Sequence, residues 1–118
     1  MNSSAIELIK AYDDLKEIVG KLERKSSILD GYYQHQMSQK NHAMVATTNA
    51  QWQEVLALLK QARSEAQAAK IPAQAAFDAL SDDERTEVLR AVRMTHTPAD
   101  GQRRNALHDK YNVSTYPH

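Results

Sequence analysis

Two long stretches of this chain place apolar residues alternately three and four positions apart, and that spacing decides most of what the chain can fold into. In the first, Leu8, Tyr12, Leu15, Val19 and Leu22 follow one another, and Leu29 and Tyr33 continue the series beyond a polar Ser26. In the second, Trp52, Val55, Leu59, Ala62, Ala66 and Ala69 do the same. Side chains so spaced line one face of an α-helix and form the seam along which helices pack as coiled coils. No segment shows the bounded apolar–polar alternation of a half-buried strand. Three Gly and three Pro in 118 residues leave little to interrupt helices. The fold class is therefore all-α.

The seams predict a helical bundle built on a long antiparallel hairpin, with helices over about 4–46 and 49–70. Ser3 or Ser4 caps the first helix. Ser26 is either a polar interruption within it or the cap of a second helix, and a continuous or kinked helix is the reading adopted. The break is placed at Ala46-Thr47-Thr48-Asn49, where Thr48 and Gln51 fit a capping box. Ile71-Pro72 ends the second helix, and Pro72 opens a short one over 72–80. Ser81-Asp82-Asp83-Glu84 then carries a cap, a residue that reaches back and an acidic first turn, which starts a helix over 82–94. Thr97 and Pro98 start the last one, over 98–111, leaving 112–118 as a flexible tail. The whole, 1–118, is one domain.

These boundaries carry a consequence for function. At about 1.5 Å per residue the first helix would be about 60 Å long and its neighbour about 30 Å. Half of the first seam would stand uncovered unless the C-terminal helices, a second copy or a partner closed over it.

Composition narrows the function classes. Fifteen basic and fifteen acidic residues cancel, which removes the bulk attraction to phosphate of a dedicated nucleic-acid binder. No cysteine is present, so disulfides and thiol chemistry are excluded. The opening residues lack the pattern of a signal peptide, and no apolar run reaches the ~20 residues of a membrane span, so the expected setting is cytoplasmic, without membrane insertion.

Candidate chemistry is sparse. His35 and His42 stand seven apart, two helical turns, too far to share a metal without further ligands, so no metal site and no cofactor is assigned. Asp82, Asp83, Glu84 and Glu87 form the densest acidic cluster, which helix capping accounts for without catalysis. The segment Tyr32-Tyr33-Gln34-His35-Gln36-Met37 combines amphipathic rings with an adaptable thioether, the residue types that interfaces favour. Tyr32 and Tyr33 point about 100° apart on a helix, so one narrow seam does not take both.

The string Arg103-Arg104-Asn105-Ala106-Leu107-His108 resembles the arginine–histidine signature of HEPN ribonuclease domains, which are small and helical. Four residues separate Arg103 from His108 and Arg104 supplies the polar follower, while the asparagine more usual there sits one place late. That resemblance implies RNA cleavage by Arg103 and His108. The 82–111 region also has the order helix, turn, helix, in which Arg103, Arg104 and His108 would meet nucleic acid. In layout alone the chain is similar to small hairpin proteins such as flagellar export chaperones. The reading adopted is a non-enzymatic protein–protein interaction module, an adaptor, chaperone or inhibitor, that binds a protein partner through Tyr32, Tyr33, His35, Met37 and Met44. A homodimer is a further expectation, and nucleic acid is not the favoured partner.

Overall fold

The computed structural model describes residues 2–113 of the chain as four helices, α1 (Ser3–Ser38), α2 (His42–Asp78), α3 (Asp82–Met94) and α4 (Pro98–Lys110). Among the described residues there is no strand. Helices α1 and α2 form the antiparallel hairpin that the two seams require, in a molecule 60 Å long and 25 by 18 Å across.

Helix α1 runs unbroken through Ser26, whose hydroxyl accepts a 3.0 Å hydrogen bond from Trp52 Nε1 on the facing helix. A seam polar residue is satisfied by its partner instead of capping a new helix.

The turn lies at Gln39–Asn41 and not near Asn49 as expected from the sequence. Lys40 takes a left-handed conformation (φ 54°). Its N–H donates to the Met37 carbonyl and that of Asn41 to the Gln36 carbonyl, the paired bonds of a Schellman ending. Asn41 then caps α2 by accepting from the Met44 N–H. Thr48, read as a cap, is buried in the seam, and the Thr47 hydroxyl bonds back to the Ala43 carbonyl within the helix.

The expected break at Pro72 is also absent. Proline removes one backbone donor from a helix interior, but Pro72 and Ala68, whose carbonyl loses that donor, both face solvent. The inner face continues the seam from Ala66 through Ala69 to a buried Ala73. One helix therefore replaces the two expected over 49–70 and 72–80. With 36 residues in α1 and 37 in α2, the arms are matched at about 54 Å and 55 Å, and the inferred length mismatch of the hairpin does not exist.

The two C-terminal helices start where their caps predict. Ser81 with Glu84 and Thr97 with Asp100 each form a complete capping box, and Pro98 opens the last helix. Arg85 reaches back to the Phe77 and Asp78 carbonyls, at 3.1 and 2.9 Å, and so satisfies the end of α2. Together α3 and α4 make a broken third helix that runs alongside α1 in the same direction, Lys10 meeting Asp100, Asp14 meeting Arg103 and Lys25 meeting Asn112.

The core lies where three layers meet. Leu15, Ile18 and Leu22 of α1, Val55, Leu59, Ala62 and Ala66 of α2, and Tyr111 and Val113 from the end of the third layer form one buried cluster, with Leu29 at its outer edge. Val113, expected in a tail over 112–118, is packed. Asn112 takes a left-handed turn (φ 51°), with its N–H on the Asp109 carbonyl and that of Val113 on the His108 carbonyl. This second Schellman ending tucks Val113 inward. Residues 114–118 of the expected tail lie outside the described residues.

Candidate functional site

The last helix ends at Lys110 and the described residues at Val113, level with Lys25 of α1, and the hairpin continues for about another 20 Å to its turn. Among the described residues the distal part is thus a two-helix tip. Its interior is lightly built. Tyr33 and Trp52 pack with ring centroids 5.7 Å apart and planes tilted by 51°, Thr48 is buried beside them on the α2 seam, and Gln36 turns a buried amide oxygen inward that finds no donor among the described residues.

Beside Asn112 a groove of about 320 Å³ opens between the helices, walled by Ile28, Leu29 and Tyr32 of α1 and by Gln51, Val55 and Leu58 of α2. Lys25, Glu54 and Asn112 form its polar rim. Tyr32 is 56% exposed, the most accessible aromatic side chain among the described residues. Small-molecule sites start near this volume, at about 300 Å³, but are concave on several sides. This groove is an open trough, the shape that suits a length of chain.

The five residues singled out from the sequence separate on this tip. Tyr32 and His35, three apart, fall on the groove side of α1, while Met44, seven before Gln51, falls on the groove side of α2. All three are exposed. Tyr33 points inward against Trp52. Met37, also exposed, stands five residues beyond Tyr32 and so about 140° round the helix, on a different face. Sequence reasoning missed Ile28 and Leu58, partly exposed apolar residues beside the seam, because only the packing of the third layer shows which seam neighbours the described residues leave uncovered.

Arg103, Arg104 and His108 belong to a ladder that ties α4 to α1. Arg103 donates to Asp14 at 2.8 Å and to Asp100 at 3.2 Å, and Arg104 donates to Glu17 at 3.1 Å. His108 places Nδ1 2.7 Å from the Arg104 carbonyl and Nε2 against Lys21 Nζ. Burial works against the charge on Arg103, but the carboxylates of Asp14 and Asp100 outweigh it and hold the guanidinium more firmly protonated than usual. Both arginines are thus engaged by carboxylates of α1, and His108 lies between the Arg104 carbonyl and Lys21. Among the described residues no three His, Cys, Asp or Glu side chains gather as a metal would require, and no helix is long and apolar enough to cross a membrane.

The base of this ladder is the buried pair Lys10–Asp100, 2.7 Å apart. Lys10 also donates to the Thr95 carbonyl, and the Asp100 carboxylate accepts from the Thr97 N–H. The bond from Lys10, then that from the Thr97 backbone, hold the Asp100 carboxyl far below its ordinary range. A carboxylate depressed in the folded state stabilises fully above the pH at which it titrates unfolded, and that contribution disappears as pH falls toward its folded value. The stability of the protein should therefore fall as pH drops below about 4, where unfolded aspartates titrate. In Asp100→Asn this acid limb should be shallower; equal slopes in acid titrations followed by circular dichroism would contradict it.

Tyr111 plugs the third layer into the hairpin. Its ring is fully buried, with Lys110 Nζ above it at 5.3 Å and bonded to Glu65 at 2.6 Å. The phenol hydroxyl makes no well-formed hydrogen bond among the described residues, although the Glu65 carboxylate stands close by. Burial first, and that carboxylate second, push its ionisation well above the usual range.

The class of molecule is thus an antiparallel two-helix hairpin braced along part of its length by a broken third helix. Comparison with protein-family models, with curated proteins and with solved structures finds no match to this chain.

Proposed function

We propose that this protein is a non-enzymatic interaction module of the adaptor, chaperone or inhibitor kind, whose hairpin tip receives an apolar segment of a protein partner. The observation that carries the reading is the trough around Ile28, Tyr32 and Leu58, which the described residues leave uncovered beyond the end of α4 at Lys110, while α4 itself packs along the hairpin. A segment lying there would extend the bundle as α4 does, with apolar side chains between the helices and polar groups at the rim. Between residues 30 and 54 the only lysine or arginine is Lys40, opposed by Asp30 and Glu54, so the tip suits an apolar partner surface better than a phosphate backbone. The absence of cysteine accords with a cytoplasmic setting.

The test is affinity capture from a cell extract with the native chain, with Tyr32→Ser/Met44→Ser and with Met37→Ser, each across a salt series and after nuclease treatment. Proteins held by the native chain should be lost from the double variant, kept by Met37→Ser, and little affected by salt. Retention by all three chains, or binding that falls steeply with salt and vanishes with nuclease, would overturn the reading. Light scattering on the same chains separates self-association, since a dimer abolished by the double variant would make the protein its own partner.

A further inference from the structure

The third layer covers one side of the hairpin, where cations are matched closely: Lys10 with Asp100 at 2.7 Å, Arg103 with Asp14 at 2.8 Å and Lys110 with Glu65 at 2.6 Å. The other side differs. Lys16 stands two residues from Asp14 and so about 160° round α1. There a second groove, of about 470 Å³, runs between α1 and α2 with walls from these two helices alone. Tyr12, Val19, Gly20 and Ala66 make its floor, and Lys16, Arg63 and Lys70 rise from its edges against a single acid, Glu23. These cations are loosely held. Arg63 is 3.6 Å from Glu23 and Lys16 is 3.6 Å from Asp13, all four side chains about half exposed. Lys70 is exposed and makes no ion pair among the described residues. Exposed pairs of this kind contribute little to stability, so the charges remain available to a partner. Lys60, one turn before Arg63, adds a further cation to this side. Glycine weakens a helix interior relative to alanine, yet a side chain at Gly20 would meet no atom within 4 Å among the described residues. Packing inside the chain does not require that glycine, whereas close approach of another helix makes use of it.

We infer that this groove receives an acidic amphipathic helix of a partner protein, which lies against the hairpin as the fourth member of the bundle. The walls fix its chemistry. From Tyr12 to Glu23 the groove runs for about 16 Å, the length of about eleven helical residues. Arg63 and Lys70 are seven apart, two turns of helix. Carboxylates seven apart on one flank of the incoming helix therefore meet both, while small and apolar side chains on its inner face fill the floor. The covered side of the hairpin shows the same arrangement with the signs reversed, since Asp14 and Glu17 of α1 receive Arg103 and Arg104 of α4. A basic helix would set like charges against Lys16, Arg63 and Lys70, which opposes its docking. The groove lies across the hairpin from the trough, so the inference does not rest on the tip being a partner face.

The probe is a synthetic helical peptide of about three heptads, with alanine and leucine along one face and glutamate on its flanks, titrated into the isotope-labelled full chain. The methyl signals of Val19 and Ala66 and the amide signal of Gly20 should shift, while the methyls of Ile28 and Leu58 in the trough stay in place. Arg63→Glu/Lys70→Glu should weaken binding about tenfold or more. Gly20→Leu, which keeps every charge and meets open space within the chain, should block the groove and weaken binding to a similar degree, with circular dichroism unchanged in both variants. The same peptide carrying lysine for glutamate should shift none of these signals, and neither should a single-stranded RNA of equal charge. No shift at the three groove residues, an equal response to the lysine peptide or the RNA, or full affinity in either variant would overturn the inference. If the same signals move as the protein alone is concentrated, a second copy closes the groove and the partner helix is refuted. The titration uses the protein and the peptide alone, so a failed capture at the tip leaves its outcome intact, and the reverse also holds.

Discussion

Leu22→Ala is expected to remove about 3 kcal/mol of folding stability, within the about 2–5 kcal/mol that buried leucine truncations cost. Leu22 is wholly inaccessible to solvent and sits in the cluster to which α1, α2 and the end of the third layer all contribute. Truncating it leaves a void that cannot collapse from one side, because each layer is held by the others. A chain of this size has about 6–15 kcal/mol in total, so the variant should remain folded while losing a large fraction. Urea denaturation should show a lower midpoint with an unchanged slope. Leu56→Ala, on the same hairpin but exposed, should change stability by no more than about 1 kcal/mol, because less apolar area returns to water. Equal effects at the two sites would mean that the three-layer core around Leu22 is not formed.

Leu22 is legible in the amino-acid sequence because core position in a helical hairpin is written locally, as spacing. The same holds for the caps at Ser81 and Thr97, whose hydrogen bonds lie within four residues of one another. Local pattern hides whatever depends on a facing element. Ser26 leaves a polar interruption and a cap both open until Trp52 is placed opposite it, and Pro72 looks like a terminus until its carbonyl partner proves to face water. Thr47-Thr48-Asn49 advertises a helix start, yet Lys40-Asn41 supplies the real one, since the turn must fall where both seams can pair over their whole length. Arg103 and Arg104 show the same limit. Their spacing to His108 is a local pattern, but Asp14 and Glu17, nearly ninety residues earlier, decide what they touch. The candidate site lies halfway between these cases. Tyr32, His35 and Met44 stand out as residue types, while the trough is defined only once α4 and Asn112 are packed against the hairpin.

Ala62→Leu should be nearly as damaging as Leu22→Ala, and for the opposite reason. The inner face of α2 changes character along its length, from Trp52, Val55 and Leu59 to Ala62, Ala66, Ala69 and Ala73. Small seam residues let two helices approach toward the short end of the usual 8–10 Å interaxial range. Ala62 is fully buried, in the same cluster as Ile18, Leu22 and Tyr111, so the carbons of a leucine there have nowhere to go without parting the helices. Overpacking of this kind costs about 1–3 kcal/mol and sometimes more. Helix propensity does not explain such a loss, since leucine is nearly as good a helix former as alanine. The same change at exposed Ala57 should therefore be close to neutral. Because α4 is fixed by Tyr111 in the cluster and by the bond from Lys110 to Glu65 on α2, moving α2 outward should loosen the third layer before the hairpin itself. Amide hydrogen exchange in Ala62→Leu should then rise first across α4, with α1 and α2 still protected. Uniform acceleration over all four helices would instead mean that hairpin and third layer open as one unit.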